Sequence, residues 1–233
     1  MFTLVKSISI VDYTDHMSIS RQNLTVIIVS FMSENVIHQC IASIPKDIKI
    51  LVVDNSNNNS FKNEIEKKYN NVRCILSENN DGMGAGNNYG LSEIDTDYGF
   101  VLNPDVILRD DTIDEIILAS KKIGTFSIIS PIMEEEKYPN YKMRKGDNFI
   151  DKKAEPFKVK SVDGFAMLLN ISRLNRLENF ENKKYFDENI FLYLENDDLC
   201  KRIIENGENI YVVPKSKIKH LGAKVSMKNT NMK

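Results

Sequence analysis

From Leu24 to Gly124 the chain alternates short, unbroken apolar runs with longer stretches in which apolar residues recur every three or four positions. Leu24-Thr-Val-Ile-Ile-Val-Ser30 has no polar alternation, as a strand buried on both faces of a parallel sheet requires. A helix is expected next: Ser33 is placed to cap it, and Ile37, Cys40 or Ile41, and Ile44 keep helical spacing until Pro45. Ile48 to Val53 is the following strand. Ser60 is placed to cap a second helix whose Phe61, Ile65 and Tyr69 share one face, and Val72 to Leu76 returns as a strand. The glycine-rich stretch Gly82 to Gly86 reads as a loop leading into a helix towards Ile94. Strand Tyr98 to Leu102 comes next, then a helix from Thr112 to Lys122 carrying Ile113, Ile116, Ile117 and Ser120 on one stripe and ended by Gly124. Repeated units of this kind predict an α/β fold with a mainly parallel, Rossmann-like sheet flanked by helices.

The remainder reads differently. Residues 134 to 160 are charged, contain Pro139, Gly146 and Pro156 and keep no period, which predicts an irregular excursion over the surface, placed like a lid. Regular structure resumes with a strand from Lys158 to Ile171, a helix from Asp198 to Asn206 closed by Gly207, and a last strand from Asn209 to Val213 that Pro214 should end. We therefore expect one domain over residues 23–220, with a mainly parallel half (23–130) and a smaller mixed half (131–220). Residues 1–22 form an extension whose Phe2, Leu4, Val5, Ile8 and Ile10 suit an edge strand or a homodimer contact, and residues 221–233 a lysine-rich tail.

A chain of 233 residues with 42% hydrophobic content can bury one substantial core. Its 31 basic and 33 acidic residues leave a formal charge of −2, so no global field draws it to nucleic acid. Cys40, Cys74 and Cys200 are odd in number and widely spaced, which fits reduced core thiols of a cytoplasmic protein better than disulfides or zinc. No apolar stretch reaches about 18 residues, and Met1 to Asp15 lacks a basic head and apolar core. The expectation is a cytoplasmic protein, held at the inner membrane face, if at all, through its tail or a partner.

The candidate chemistry stands at element ends. Asp54 closes the run Ile48 to Val53, Asn103-Pro-Asp105 follows Tyr98 to Leu102, and Glu195-Asn-Asp-Asp198 opens the late helical stretch. Carboxyl ends of parallel strands are where open α/β sheets bind ligands, so these acids should share one cleft. A dinucleotide fingerprint fails on spacing, because the third glycine position is Asn87 or Tyr89, and no Gly-Lys-Ser/Thr follows to make a P-loop.

Taken in order, Val53-Asp-Asn-Ser56, Asn80-Asp-Gly-Met-Gly-Ala-Gly-Asn-Asn-Tyr-Gly90, Leu102-Asn-Pro-Asp-Val106, Val162-Asp-Gly-Phe-Ala166, Phe186-Asp-Glu188, Phe191-Leu-Tyr-Leu-Glu195, Asp198-Leu-Cys-Lys-Arg202 and Ile218-Lys-His220 resemble the inverting, GT-A-fold glycosyltransferases of family 2, in the branch grouped with bacterial rhamnosyltransferases. The resemblance covers most of the chain. It implies a nucleotide-diphosphate sugar donor of UDP or dTDP type, a divalent metal (Mn²⁺ or Mg²⁺), and an acceptor hydroxyl on a cell-surface glycan or lipid-linked glycan. By the same resemblance Asp54 meets the donor's base or ribose, its bland alternative being a loop-capping Asp. Asn80, Gly84 and Asn87 line the donor loop; Asn103 and Asp105 stand for the family's D-x-D, with Asp105 on the metal; His220 reaches that metal or the diphosphate.

Asp163 and Gly164 fall near the acceptor end, and Arg202 either faces the diphosphate or pairs with Asp198 or Glu205. Asn196 stands where the family's usual catalytic Asp would be, and an amide cannot take a proton near neutral pH. Glu195 is therefore the favoured general base and Asp197 the second. The same substitution motivates an alternative, a donor-binding but catalytically weak subunit that supports another transferase. A sugar nucleotidyltransferase is disfavoured, since Val29 to Ser33 lacks a glycine-rich loop with basic residues.

Overall fold

The computed structural model describes residues 18–134, 139–143, 155–178, 180 and 184–222. Among the described residues eleven strands and six helices follow in chain order: β1 Leu24–Ser30, α1 Glu34–Ser43, β2 Lys49–Asp54, α2 Asn59–Lys68, β3 Val72–Leu76, α3 Gly82–Ser92, β4 Tyr98–Leu102, β5 Val106–Leu108, α4 Thr112–Ser120, β6 Ile128–Met133, β7 Tyr141–Lys142, β8 Phe157–Val159, β9 Ser161–Val162, β10 Ala166–Asn170, α5 Ile171–Leu174, α6 Glu195–Glu205 and β11 Ile210–His220. Nine strands form one sheet in the order β3-β2-β1-β4-β10-β6-β11-β5, with β8 also on β11, while β7 and β9 make a separate ribbon. β3, β2, β1 and β4 pair in parallel. β10 runs antiparallel to both β4 and β6, and β11 is parallel to β6.

The apolar runs are buried because both sheet faces are covered. Ile28, Val52 and Phe100 face α1, α2 and α4, where Ile37, Ile65 and Ile116 complete one core. Ile27, Val101 and Met167 face the other way, against Leu91 of α3 and Leu199 and Ile203 of α6. Each such side chain contributes about 1.5–3 kcal/mol by leaving water, which is why tertiary burial fixes these strands. All three cysteines are free and buried, and burial pushes the Cys74 and Cys200 thiols up to about 12, so they are inert core residues.

Several local expectations are corrected. Ser33 stands at the start of α1 without a side-chain cap. Asn58, not Ser60, caps α2, its oxygen accepting from the N–H groups of Ser60 and Phe61. The glycine stretch is the beginning of α3 itself rather than a preceding loop. The strand expected over Lys158 to Ile171 is broken into β8, β9 and β10, and residue 171 already begins α5. β11 continues through Pro214, with its register on β6 shifted between Val213 and Lys217, the irregularity that lets a proline stay in a strand. Lys215, Lys217 and Lys219 are therefore strand residues.

Of the expected lid, residues 139–143 and 155–160 are described and supply β7, β8 and part of the sheet edge; the rest lies outside the described residues. Phe2 to Ile10 also lie outside them, while Ile19 is buried in the first core and Arg21 pairs with Asp47 and Asp114.

Candidate functional site

The carboxyl ends of β1, β2 and β4 open on one side of the sheet, where α3 and the segment before α6 meet. Asp54 is fully buried at the end of β2: its Oδ1 accepts from the Ser56 hydroxyl (2.6 Å) and N–H (3.2 Å), and its Oδ2 from Asn58 N–H (2.8 Å). Those bonds make it the brace of its own loop. Asn55 beside it donates to Asn80 Oδ1 (3.3 Å) and to the Gly82 carbonyl (3.2 Å), which ties the β2 end to the α3 start. The Asn55 Oδ1, Ser30 Oγ and Asn87 Oδ1 are buried without partners among the described residues. Buried acceptors left unpaired are costly and point to groups the described structure does not contain.

Two glycines at the start of α3 are required by close packing. Gly82 has φ +94°, and a Cβ there would lie 2.1 Å from the Phe191 carbonyl oxygen. A Cβ at Gly84 would lie 3.2 Å from Phe186 Cβ and 3.6 Å from Glu195 Cβ, so Gly84 lets α3 approach the segment that carries Glu195. Asn88, which the sequence reading did not single out, clamps that segment. Its Oδ1 accepts from Tyr185 and Phe186 N–H (both 2.9 Å), and its Nδ2 donates to the Phe186 carbonyl (2.8 Å) and Glu188 (3.2 Å). Its only signal was the doubled Asn87-Asn88 inside a glycine-rich helix.

β5 and the end of β11 lie antiparallel with Val106 opposite His220, which puts His220 Nε2 3.3 Å from Asp105 Oδ1. Two residues far apart in sequence and separately assigned to the metal are thus neighbours. The imidazole stacks on the Phe165 ring at 4.3 Å, and the Phe165 carbonyl accepts from Asn103 N–H (2.9 Å), so the residue before β10 braces the same turn. No group of three or more His, Cys, Asp or Glu that could hold a metal occurs among the described residues. A carboxylate and an imidazole nevertheless fit Mn²⁺ or Mg²⁺ when diphosphate oxygens and water complete the sphere.

α6 begins three residues earlier than expected, after Tyr193 (φ 67°) and Leu194 (φ 72°), two non-glycine residues in left-handed backbone. Such residues cost about 1–3 kcal/mol each and persist where surrounding structure imposes them. The turn delivers Glu195 into the protein, 7% exposed, with its Oε2 unpartnered among the described residues. Burial raises its carboxyl above the ordinary value of 4.5; its own backbone N–H opposes this, and the charge of Asp197 adds to it. Asp197 differs: Lys142 Nζ grips both its oxygens, at 2.7 and 3.1 Å.

Asn196 donates to the Val162 carbonyl (2.8 Å), and its Cβ sits where a Cβ on Gly164 would come within 3.2 Å. Asn196 thus packs over Gly164. Asp163 beside it reaches solvent, yet surrounding protein strips enough water to raise its carboxyl, with Lys142 and His220 opposing and Asp197 assisting. Arg202 adopts the pairing alternative: it bonds Asp198 (2.8 Å) and the Tyr185 carbonyl (2.5 Å) and lies 4.8 Å over the Phe180 ring, while Glu205 pairs with Lys201.

Between α3 and the segment before α6 runs a groove of about 630 Å³ lined by Asn55, Asn80, Asn88, Tyr89, Lys184 and Phe191 among others. A cavity of about 650 Å³ lies at the opposite, amino-terminal end of the strands, around Ile50, Arg73 and Glu93, and holds none of the candidate residues.

The chain is similar to solved glycosyltransferase structures and shares their GT-A fold. S. aureus TarS residues 1–349 superpose at TM-score 0.61 and 16% identity over 90% of this chain and 66% of that one. GalNAc-T7, solved with UDP, GalNAc and Mn²⁺, superposes at TM-score 0.68 and 15% identity over 84% of this chain and 42% of that one. Among curated proteins, it is 28% identical over 204 residues to the low-salt glycan biosynthesis hexosyltransferase Agl10 of Haloferax volcanii, covering 81% of this chain and 64% of the relative. It is also 28% identical over 223 residues to the rhamnosyltransferase WbbL of Escherichia coli K12, covering 81% and 80%. Residues 25–178, more than half of the chain, match the model described as glycosyl transferase family 2, and the chain belongs to that family.

Proposed function

We propose that this chain is a metal-dependent inverting glycosyltransferase that moves a sugar, rhamnose among the candidates, from a UDP- or dTDP-type donor to a hydroxyl of a glycan or lipid-linked glycan. The observation that carries the reading is the meeting of Asp105 with His220 on the side of the sheet where Glu195 is buried with a free oxygen. TarS, crystallised with UDP and with UDP-GlcNAc, and the rhamnosyltransferase relative support a nucleotide sugar.

In this reading Asp105 and His220 hold Mn²⁺ or Mg²⁺, which when bound supplies positive charge to the departing diphosphate. Asn80, Asn87 and the braced loop at Asp54 cradle the donor. Glu195 accepts the acceptor hydroxyl's proton as that oxygen attacks C1 of the donor sugar, with inversion and no covalent intermediate. A raised carboxyl pKa suits this role, because a stronger base takes the proton more readily. Asn196 stitches α6 to β9 by donating to the Val162 carbonyl, and in this reading the proton goes to Glu195 beside it.

The test is thermal stabilisation by UDP-, dTDP- and GDP-sugars, each with Mn²⁺, Mg²⁺ or chelator, followed by product analysis with the best donor. Ligand at about a hundred times its Kd should add about 2.7 kcal/mol, lost with chelator and with Asp105→Ala. A shift with no transfer to any glycan or lipid-linked acceptor would leave the donor-binding subunit as the better reading. No shift at all would remove both.

A further inference from the structure

Phe191, Leu192, Tyr193 and Leu194 are 56%, 46%, 76% and 65% exposed, an unbroken run of large apolar side chains in water. Fraying does not explain it. The Phe191 carbonyl accepts from Met83 N–H (3.1 Å) and the Leu194 carbonyl from Asp198 N–H (2.9 Å), so both ends are fastened to helices. Between them the left-handed backbone of Tyr193 and Leu194 turns the side chains outward. A chain that holds both an unfavourable backbone and an exposed apolar run has a partner for that run.

The partner's chemistry follows from what surrounds the run. Half of it is aliphatic and none of it carries an amide or carboxylate, which suits hydrocarbon better than sugar hydroxyls, and the Tyr193 phenol suits the headgroup level. Lys215, Lys217 and Lys219 of β11 lead to His220, which stacks on Phe165. Gly164, next in the chain, packs on Asn196, two residues from Leu194, so the basic strand end and the apolar run border one site. No carboxylate among the described residues pairs with these three lysines, and with a net charge of −2 any attraction to an anionic surface must be local.

We propose that Phe191–Leu194 inserts into the headgroup region of an anionic membrane, with Lys217 and Lys219 drawing the surface in. Its purpose, holding the cleft at a membrane-borne acceptor, rests on the transferase reading; the contact itself does not.

The chain has no tryptophan, so Tyr193→Trp provides a single reporter. With vesicles of phosphatidylglycerol and phosphatidylethanolamine its emission should shift blue and resist acrylamide quenching, and much less so with phosphatidylcholine alone. In co-sedimentation with the same vesicles, Leu192→Ser/Leu194→Ser should bind at least about tenfold more weakly than wild type. Lys217→Gln/Lys219→Gln should bind about fivefold more weakly and lose most of the salt dependence. Wild type that sediments while the reporter stays quenchable would mean another surface meets lipid. Wild type that does not sediment would turn the run towards a glycan or protein. Either result overturns the proposal, and neither depends on the serine variant folding. Donor-induced stabilisation measured without vesicles tests the transferase reading separately, so one can fail while the other stands.

Discussion

At the end of β2, Asp54 is satisfied by Ser56 and Asn58, two and four residues further on; at the start of α6, Asn196 bonds a carbonyl 34 residues back and Asp197 a lysine 55 residues back. Asn88 reaches 98 residues ahead to hold Phe186. The parallel half of the sheet braces its strand ends locally, whereas the mixed half builds its part of the site from strands and loops that meet only in the folded chain. Polar groups in the first half therefore hold loops, and the reactive geometry depends on long-range contacts in the second. This contrast predicts which substitutions cost stability and which cost chemistry.

The largest expected effect tests the reactive side. Glu195→Gln should lower turnover by about 10²- to 10⁴-fold, as loss of a positioned base does, with donor stabilisation retained. Because burial raises the Glu195 carboxyl, activity should fall away on the acid side of the pH profile above the ordinary glutamate range. The stability sign is opposite to that of a paired acid. A carboxyl raised in the folded state contributes stability below its unfolded value and loses it as pH rises through the folded value, so the ionised Glu195 is a burden at neutral pH. Glu195→Gln should melt at or above wild type near pH 7, with the difference vanishing towards pH 4. A mutant that melts lower at pH 7 would show that the carboxylate is held, not strained.

The sequence made the parallel half legible because its signals are local: Leu24–Ser30, Val72–Leu76 and Tyr98–Leu102 are strands as read, since unbroken apolar runs survive only when buried on both faces. It concealed β5, too short at Val106–Leu108, and β6, whose Ile128–Met133 contains Pro131. At the site, the resemblance put Asp105 and His220 on one metal and the strand ends put the acids in one cleft, but the strand pairing that joins Asp105 to His220 was not legible in either segment. The antiparallel pairing of β5 with β11 is a property of topology, not of either segment. A glycine in sequence does not say what comes close to it; beside Gly84 and Gly164 the side chains of Glu195 and Asn196 do.

Asn88 sharpens the comparison further, since it joins the two halves. Asn88→Ala leaves the N–H groups of Tyr185 and Phe186 and the Phe186 carbonyl without their partner, so denaturant unfolding should show a loss of about 3 kcal/mol. Turnover should fall with it, because the segment it clamps runs on to Glu195. Asp54→Asn is the local counterpart. An amide keeps one oxygen and turns its NH₂ towards an N–H that formerly donated, costing about 1–3 kcal/mol while turnover at saturating donor changes little. If Asp54→Asn abolished donor stabilisation while the melting point held, its role would be contact with the donor rather than bracing, and the contrast between the halves would weaken.

The smallest effect is the most discriminating for the choice of base. Asp197 is partly exposed and its carboxylate is gripped by Lys142, itself largely in solvent. An exposed pair of this kind contributes at most about 1 kcal/mol, so Asp197→Asn should shift the melting point little. A carboxylate held by a lysine is a poorer proton acceptor than one with an unpartnered oxygen, so turnover should fall by less than about tenfold, against the far larger loss for Glu195→Gln. Removing Asp197 also takes away a negative charge that helps raise the Glu195 carboxyl, which should move the acid limb of the pH profile downwards. That displacement ties the exposed acid to the buried one. A profile that stays in place while turnover collapses would make Asp197 the base and leave Glu195 a buried spectator.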